Sequence, residues 1–404
     1  MTAHDVIVIG AGPAGSAAAK FLADEGLDVR LLDKAVFPRD KTCGDGLTPR
    51  ALGMLRELGV LDSVAQAGQR IRGIEVHAPK GISISAEVPP KDGLPDYLLV
   101  LPRYHLDDLL LERAVASGAR FESSFHVRDI RARADRVDVL GAKGGQPITI
   151  SGQVALLATG ANSRLLLRLG LLDTMPVTIL AVRGYFEGVR GLDDCLQAHF
   201  AGVPSPGYGW VFPVSSSSAN IGVGFWPRSL SVRRGPRSSQ AVFDRFIRSE
   251  KLAWMLQGAR QTSQVKGYPI RVDFPTAPTY AERIILLGES AGLVNPLTGE
   301  GIDFALESAS IASSTVLSMF SQHDFSLERL REYDRELRKR FQKLFVFLNH
   351  MRTLYINPLV LNRAINSAAR LPELKSLMVD ILLGHQDASK GLTWRTVRQA
   401  LLGV

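Results

Sequence analysis

The sequence predicts an α/β fold in which a parallel-sheet layer is interleaved with an antiparallel sheet domain and closed by C-terminal helices. Three observations lead there. An apolar run over 5–9 meets a cluster of glycines and then a small-residue helix. Over 176–280 the pattern changes to alternation, with frequent Gly and Pro. Beyond about 326, apolar residues recur at three- and four-residue steps.

Taken in order, Asp-Val-Ile-Val-Ile at 5–9 is the β-branched apolar run of a buried parallel strand. Residues 16–23 read as a helix ending near Gly26, and 29–33 as a second strand ending in Asp33, which completes a βαβ unit. Residues 102–116 are helical, with Leu106, Leu109, Leu110 and Ala114 on one face. Another buried strand spans 154–158 and runs into Thr159 and Gly160. Antiparallel strands are expected at 181–186, 197–200, 209–213 and 220–225, and a surface loop at 234–239. Residues 283–288 return to a buried parallel strand, followed by a Gly-rich turn and a helix over 301–320. Leu330, Tyr333, Leu337, Phe341, Leu344, Phe345 and Leu348 then form one apolar helix face, with Arg335, Arg338, Lys339, Arg340 and Lys343 mostly elsewhere and expected in solvent. Leu374, Leu377, Met378, Ile381 and Leu382 make a second such face.

A chain of 404 residues exceeds one compact core, and 46% hydrophobic with 22% charged residues is ordinary globular usage. The net charge of +8 comes from dispersed basic residues without interleaved aromatics, so no nucleic acid is expected as partner. A bland basic surface or attraction to anionic lipid headgroups remains. Two cysteines, Cys43 and Cys195, make neither a disulfide scaffold nor a zinc site, and no metal is expected. No apolar run nears the ~18 residues that cross a bilayer, and Met1 is not followed by a basic region and cleavage site. The chain reads as cytoplasmic, with contact at a membrane surface left open; oligomeric state is not legible in it.

Gly10, Gly12 and Gly15 have the Gly-x-Gly-x-x-Gly spacing in its full setting of strand, helix and acidic strand end. Gly10 allows the tight turn, Gly12 lets a pyrophosphate reach the backbone, and Gly15 lets helix and strand pack closely, with Ala14 between them. The helix start offers free N–H groups to phosphates. Asp33 accepts from ribose hydroxyls, and Lys34 beside it joins the expected nucleotide contacts. There is no second copy of the motif, hence no separate nicotinamide-nucleotide domain.

The motif alone leaves FAD and NAD open. Two distal segments decide: Ile-Leu-Leu-Gly288-Glu289-Ser-Ala-Gly292, and Pro-Arg103-Tyr-His. These resemble the FAD proteins of the p-hydroxybenzoate hydroxylase-like group, which implies ribityl contacts at Glu289, backbone approach at Gly288, and Arg103 near the cofactor. Three further segments narrow the match: Phe37 to Pro49 around Cys43-Gly44-Asp-Gly46; Tyr208-Gly-Trp210-Val-Phe212-Pro213; and Asn295-Pro296-Leu-Thr-Gly299-Glu300-Gly301-Ile302. Over 4 to about 320 the chain resembles the geranylgeranyl reductases and the related reductases of menaquinone side chains.

The resemblance implies a discontinuous FAD-binding Rossmann-like domain (1–75, 100–175 and 281–325), an antiparallel β-sheet substrate domain (76–99 and 176–280) and a C-terminal helical region (326–404). It implies FAD, reduced by NAD(P)H or another external reductant, and an enzyme that reduces carbon–carbon double bonds of a hydrophobic isoprenoid. Cys43 and Gly44 would approach the flavin, as would Gly160. The turn from Pro296 through Gly299, Glu300 and Gly301 to Ile302 opens a helix whose N–H groups would stabilise negative charge. Tyr208, Trp210 and Phe212 alternate, so on a strand they share one face; that face would border an apolar tunnel. Cys43, Tyr208 and Trp210 are the catalytic candidates, with Tyr208, Cys43 or water supplying a proton. The chain departs from the family at Glu289 and Thr159, where Asp is usual. The Tyr208 to Pro213 segment also resembles a halogenase motif but lacks its first Trp. A flavin monooxygenase or halogenase is therefore the alternative, and a non-enzymatic flavin- or lipid-binding protein a third reading.

Overall fold

The structure is a computed structural model and describes residues 4–80, 82–91, 93–227, 238–354 and 358–383. Most of the surface loop expected at 234–239 lies outside the described residues, as does the chain beyond 383.

The strand His4–Ile9 sits centrally in the first sheet. It pairs in parallel with Val29–Leu32 on one side and with Gln146–Leu157 on the other. The sheet continues in parallel to Arg120–Glu122 and to Ile284–Leu286. The apolar runs expected as parallel strands are thus neighbours, with Val8 opposite both Leu31 and Leu156. Apolar side chains serve both faces, as parallel strands buried on both sides require, and Val6, Ile7, Val8 and Ile9 are all buried. The helix Pro13–Asp24 packs against Arg103–Ala116 and Ile302–Gln322, and its Ala17, Ala18 and Ala19 are fully buried. Small side chains let those helices approach closely.

The second sheet has the order Thr178–Glu187, Ser218–Phe225, Gly207–Pro213, Cys195–His199, Gly73–His77, Ser83–Glu87. Its ladders are antiparallel with one exception: Cys195–His199 runs parallel to Gly73–His77. That junction joins two excursions of the chain from the first layer, so no tight hairpin dictates its direction. Phe243 and Phe246 of the helix Ser239–Ile247 cover the outer face. The inner face turns toward the first layer.

The C-terminal expectation holds for its apolar face. All seven residues from Leu330 to Leu348 are buried in the helix Leu327–Leu354. Phe341 and Phe345 meet Phe304 edge-on at centroid distances of 5.3 and 5.0 Å. The basic side is solvated as expected at Arg335, Lys339, Arg340 and Lys343, which are exposed, while Arg338 is partly covered. Arg338 reaches the Pro275 and Ala277 carbonyls at 3.2 and 3.0 Å, and Arg340 donates to Glu307 at 2.5 Å.

Glu307 is the hub of a buried cluster. Arg50 Nε, from the helix Pro49–Glu57, donates to it at 3.0 Å, and Arg50 Nη1 lies 3.4 Å from Asp303. Arg50, Asp303 and Glu307 are buried and half-exposed Arg340 adds a second guanidinium at the edge, so the charges balance. Removing one strands the others. Glu307→Ala should therefore lower the unfolding free energy by about 3–5 kcal/mol in urea titration. Breaking the exposed Glu187–Arg260 pair by Arg260→Ala should give a distinctly smaller change.

Candidate active site

A cavity of about 880 Å³ opens between the two sheets and runs from the glycine loop to the C-terminal helices. At its polar end the glycines are sterically required. A Cβ on Gly10 (φ +104°) would lie 2.3 Å from the Ala158 carbonyl oxygen, and one on Gly15 would lie 1.7 Å from that of Gly10. Above Gly12 there is room: the nearest atoms to a Cβ are guanidinium nitrogens of Arg39 and Arg103, at 3.6 and 3.8 Å. No side chain caps the helix that follows. Asp107 is fully buried and holds both arginines, Arg103 at 2.5 and 2.7 Å and Arg39 at 3.0 Å. Arg39 Nη1 is buried without a partner. Asp33 accepts the Ala11 N–H at 2.7 Å and the Ala35 N–H at 2.8 Å, so its carboxylate is fixed at the cavity wall, with exposed Lys34 at the rim.

An uncapped helix start, a guanidinium with a spare donor, and a fixed acceptor one strand away fit a dinucleotide pyrophosphate and ribose. Ala14 lines the same wall. On the far side Gly160 (φ +64°) and Gly288 (φ +53°) adopt left-handed backbone, and Glu289 Oε2 lies 3.3 Å from where a Gly160 Cβ would be. The Arg271 N–H holds Glu289 Oε1 at 3.1 Å, leaving the other oxygen toward the cavity. Thr159, standing where the resemblance has Asp, pairs with Ser290 at 3.3 Å.

The turn from Pro296 to Ile302 closes the cavity beside this site. Its geometry refines the expectation that free helix N–H groups face a ligand: Glu300 Oε1 itself accepts the Ile302 N–H at 3.0 Å. Burial first, then the nearby Asp303 charge, raises the Glu300 carboxyl. Gly299 has φ +76°, and a Cβ on Gly301 would meet Val294 at 2.9 Å. Tyr208 donates its hydroxyl proton to the Thr298 carbonyl at 2.5 Å, tying the turn to the second sheet.

From Tyr208 an aromatic ladder leads along the cavity. Ring centroids step 6.1 Å to Trp210 and 6.2 Å to Phe212, and Phe200 flanks Tyr208 at 6.2 Å. The alternation legible in the sequence does place these rings on one face. Trp210 lies over Gly222, where any Cβ would be 2.1 Å from its ring.

Sequence reasoning missed the residues that hold the loop 39–46 across this face. Asp45 is fully buried, with φ +67°, and accepts from Tyr185 Oη at 2.5 Å, Asn220 Nδ2 at 2.7 Å and the Arg103 N–H at 3.3 Å. Asn220 also donates to the Cys43 carbonyl at 2.8 Å and accepts from Trp210 Nε1 at 2.9 Å. Arg183 reaches Asp40 and the Lys41 carbonyl, and Lys266 reaches Asp40 at 2.8 Å. Arg39 and Asp45, in the segment 37–49, and Asn220, shortly after Pro213, lie in stretches that carry the family resemblance but had no role assigned; Tyr185 and Arg183 carry no local signal. Burial pushes the Asp45 carboxyl up to about 6, against the hydrogen bonds from Tyr185 and Asn220. Burial likewise raises the Cys43 thiol, while the Arg103 guanidinium pulls it down. Cys43 and Gly44 line the cavity; Cys195 lies outside it, beside Ser85. Among the described residues no group of three or more His, Cys, Asp or Glu is placed to hold a metal ion.

This fold and site define a flavoprotein oxidoreductase of the FAD-binding Rossmann-like class. The FAD binding domain family matches residues 3–347. A menaquinone reductase of Mycolicibacterium smegmatis is 34% identical over 329 residues, covering 78% of this chain and 77% of that protein. Digeranylgeranylglycerophospholipid reductase 1 of Methanopyrus kandleri is 32% identical over 353 residues, covering 84% and 88%. The fold is also that of a geranylgeranyl bacteriochlorophyll reductase-like protein from Thermoplasma acidophilum, with a TM-score of 0.83 at 20% identity over 100% of this chain and 99% of that one. The chain belongs to the geranylgeranyl reductase family of FAD-dependent oxidoreductases.

Two outcomes test this geometry. Gly15→Ala should abolish the flavin absorbance that purifies with the protein, whereas Gly267→Ala, at an exposed strand position where a Cβ meets nothing closer than 3.5 Å, should retain it. Because Asp45 titrates near 6 rather than 3.8, its contribution to stability is fullest below about pH 4 and is lost as pH rises through 6. The unfolding free energy of the wild type relative to Asp45→Asn should thus fall by about 3 kcal/mol between about pH 4 and pH 7 in paired denaturation curves.

Proposed function

We propose that this protein reduces carbon–carbon double bonds in a polyprenyl chain. The observation that carries the reading is the aromatic ladder, which leads from the Thr298 turn into a cavity end walled by Leu196, Phe212 and the C-terminal helices. Apolar carbon gains from such a wall, and an extended hydrocarbon can follow its length. The names of the relatives support it: one acts on menaquinone, the other on a digeranylgeranyl phospholipid.

Bound FAD supplies hydride chemistry, renewed by NAD(P)H or another external reductant. Arg39, Asp33, Glu289 and the glycine loop hold it. The residues of the ladder orient an alkene and keep water away, which matters because an isolated double bond is unactivated. Cys43 is the proton donor in this reading. Burial keeps its thiol protonated, and Arg103 balances the charge once the proton leaves. Tyr208 keeps its proton on the Thr298 carbonyl, and burial raises its hydroxyl further, so it positions the turn. Trp210, fixed by Asn220, is wall and not acid.

No helix among the described residues is long and apolar enough to cross a membrane. Docking of the protein at a bilayer surface, where such substrates reside, is supported by the net charge of +8 and by exposed Leu359 on the helix Pro358–Arg370.

Reduced anaerobically and mixed with a geranylgeranyl compound or a menaquinone, the protein should yield products heavier by two hydrogens per reduced bond in mass spectrometry. Rapid reoxidation by oxygen with hydroxylation or halogenation of an aromatic substrate would instead establish the alternative. Cys43→Ala should slow turnover by about 100-fold or more, the usual scale of a lost general acid. Tyr208→Phe should cost under about tenfold; the reverse ranking would exchange their roles.

A further inference from the structure

The cavity's apolar end is made by two helices that lie beyond the FAD-binding family match at 347, Pro358–Arg370 and Pro372–Leu382. Among the described residues, all that these two helices and the adjoining Leu383 contribute to the cavity is apolar, Leu361, Ile365, Met378, Leu382 and Leu383; Arg352, on the preceding helix Leu327–Leu354, also lines the cavity. Leu361 and Ile365 stand one helical turn apart, as do Met378 and Leu382, so each helix presents a continuous stripe. The stripes pack with Ile74, Val76 and Leu98 from the strands and with Phe212, the last ring of the ladder. Two polar ties fix the second helix to its surroundings: Lys375 Nζ to the Ser85 carbonyl at 3.2 Å, and Asp380 to Lys91 at 3.5 Å.

This arm begins at Tyr208, against the turn that borders the nucleotide site, and ends on those stripes. Among the described residues the two helices offer it no charged group, and the second helix is tied to its surroundings. We propose that the paired helices act as a ruler: the face formed by Leu361, Ile365, Met378 and Leu382 stops the hydrocarbon and so sets how many isoprene units lie beyond the bond that is reduced. The inference rests on the polyprenyl reading and adds to it the residues that choose chain length and bond position. A rigid apolar pocket discriminates by whole methylene groups that either fit or clash, and Ile365 is fully buried in this wall while Met378 is partly so.

The test uses the flavin-loaded protein and polyprenyl alcohols differing by one isoprene unit. Affinity is read by titration calorimetry, and the position of new C–H bonds by fragmentation mass spectrometry. Met378→Trp, which fills the arm, should lower the affinity ratio of long to short alcohols at least roughly tenfold and move reduction toward the chain end. Ile365→Ala, which deepens it, should move both in the opposite direction. A length profile and bond position identical to wild type in both variants would overturn the ruler, as would an equal loss of affinity at every length. If the wild type binds and reduces no alcohol of any length, the polyprenyl reading itself fails and takes the ruler with it.

Discussion

One buried carboxylate joins the two halves of this molecule. Asp45 receives hydrogen bonds from Tyr185 and Asn220 of the antiparallel sheet and from the backbone of Arg103, which opens a helix of the nucleotide layer. Hydrogen bonds to a charged group contribute about 1.5–3 kcal/mol each, and leaving such a group unpaired costs more. These bonds hold the residue in left-handed backbone, and they offset only part of the desolvation that raises its carboxyl. This knot, with Asn220 on the Cys43 carbonyl and with Arg183 and Lys266 on Asp40, presses the loop 39–46 onto the sheet and brings Cys43 and Gly44 to the cavity. Asn220 also fixes Trp210, so the loop and the aromatic wall are positioned by the same side chain.

The cavity grades from charged to apolar along its length. At one end Asp107 orients Arg39 and Arg103 beside an uncapped helix start, where an anion belongs. In the middle, Glu300 and Tyr208 are turned inward onto the Thr298–Ile302 turn, where they satisfy the backbone. At the far end the helices Pro358–Arg370 and Pro372–Leu382 add only apolar side chains. A dinucleotide and a hydrocarbon can share such a space without competing, because each would bury the wrong chemistry in the other's end.

The strongly periodic parts were legible in the sequence. Residues 5–9, the glycine spacing and Asp33 are local, and each carries its own physical reason. The ladder at Tyr208, Trp210 and Phe212 was legible because strand periodicity alone decides which side chains share a face. The clamp was not. Asp45 and Tyr185 are 140 residues apart and Arg50 and Glu307 257 apart, and nothing near either member announces its partner. The parallel junction of Cys195–His199 with Gly73–His77 was hidden for the same reason, since alternation reads alike in either direction. The basic side of that helix is solvated as helical periodicity predicts, except that neighbouring carbonyls draw Arg338 in, and exposed Arg340 still reaches Glu307.

The central claim is that a polyprenyl chain lies along the aromatic ladder with its end against the C-terminal helices. A crystal structure of the flavin-loaded protein with a bound polyprenyl alcohol tests it most directly. The account predicts continuous density over Tyr208, Trp210 and Phe212, with the last isoprene unit in contact with Ile365 and Met378. Density for the chain elsewhere, or a cavity that admits only a compact aromatic ligand, would contradict it.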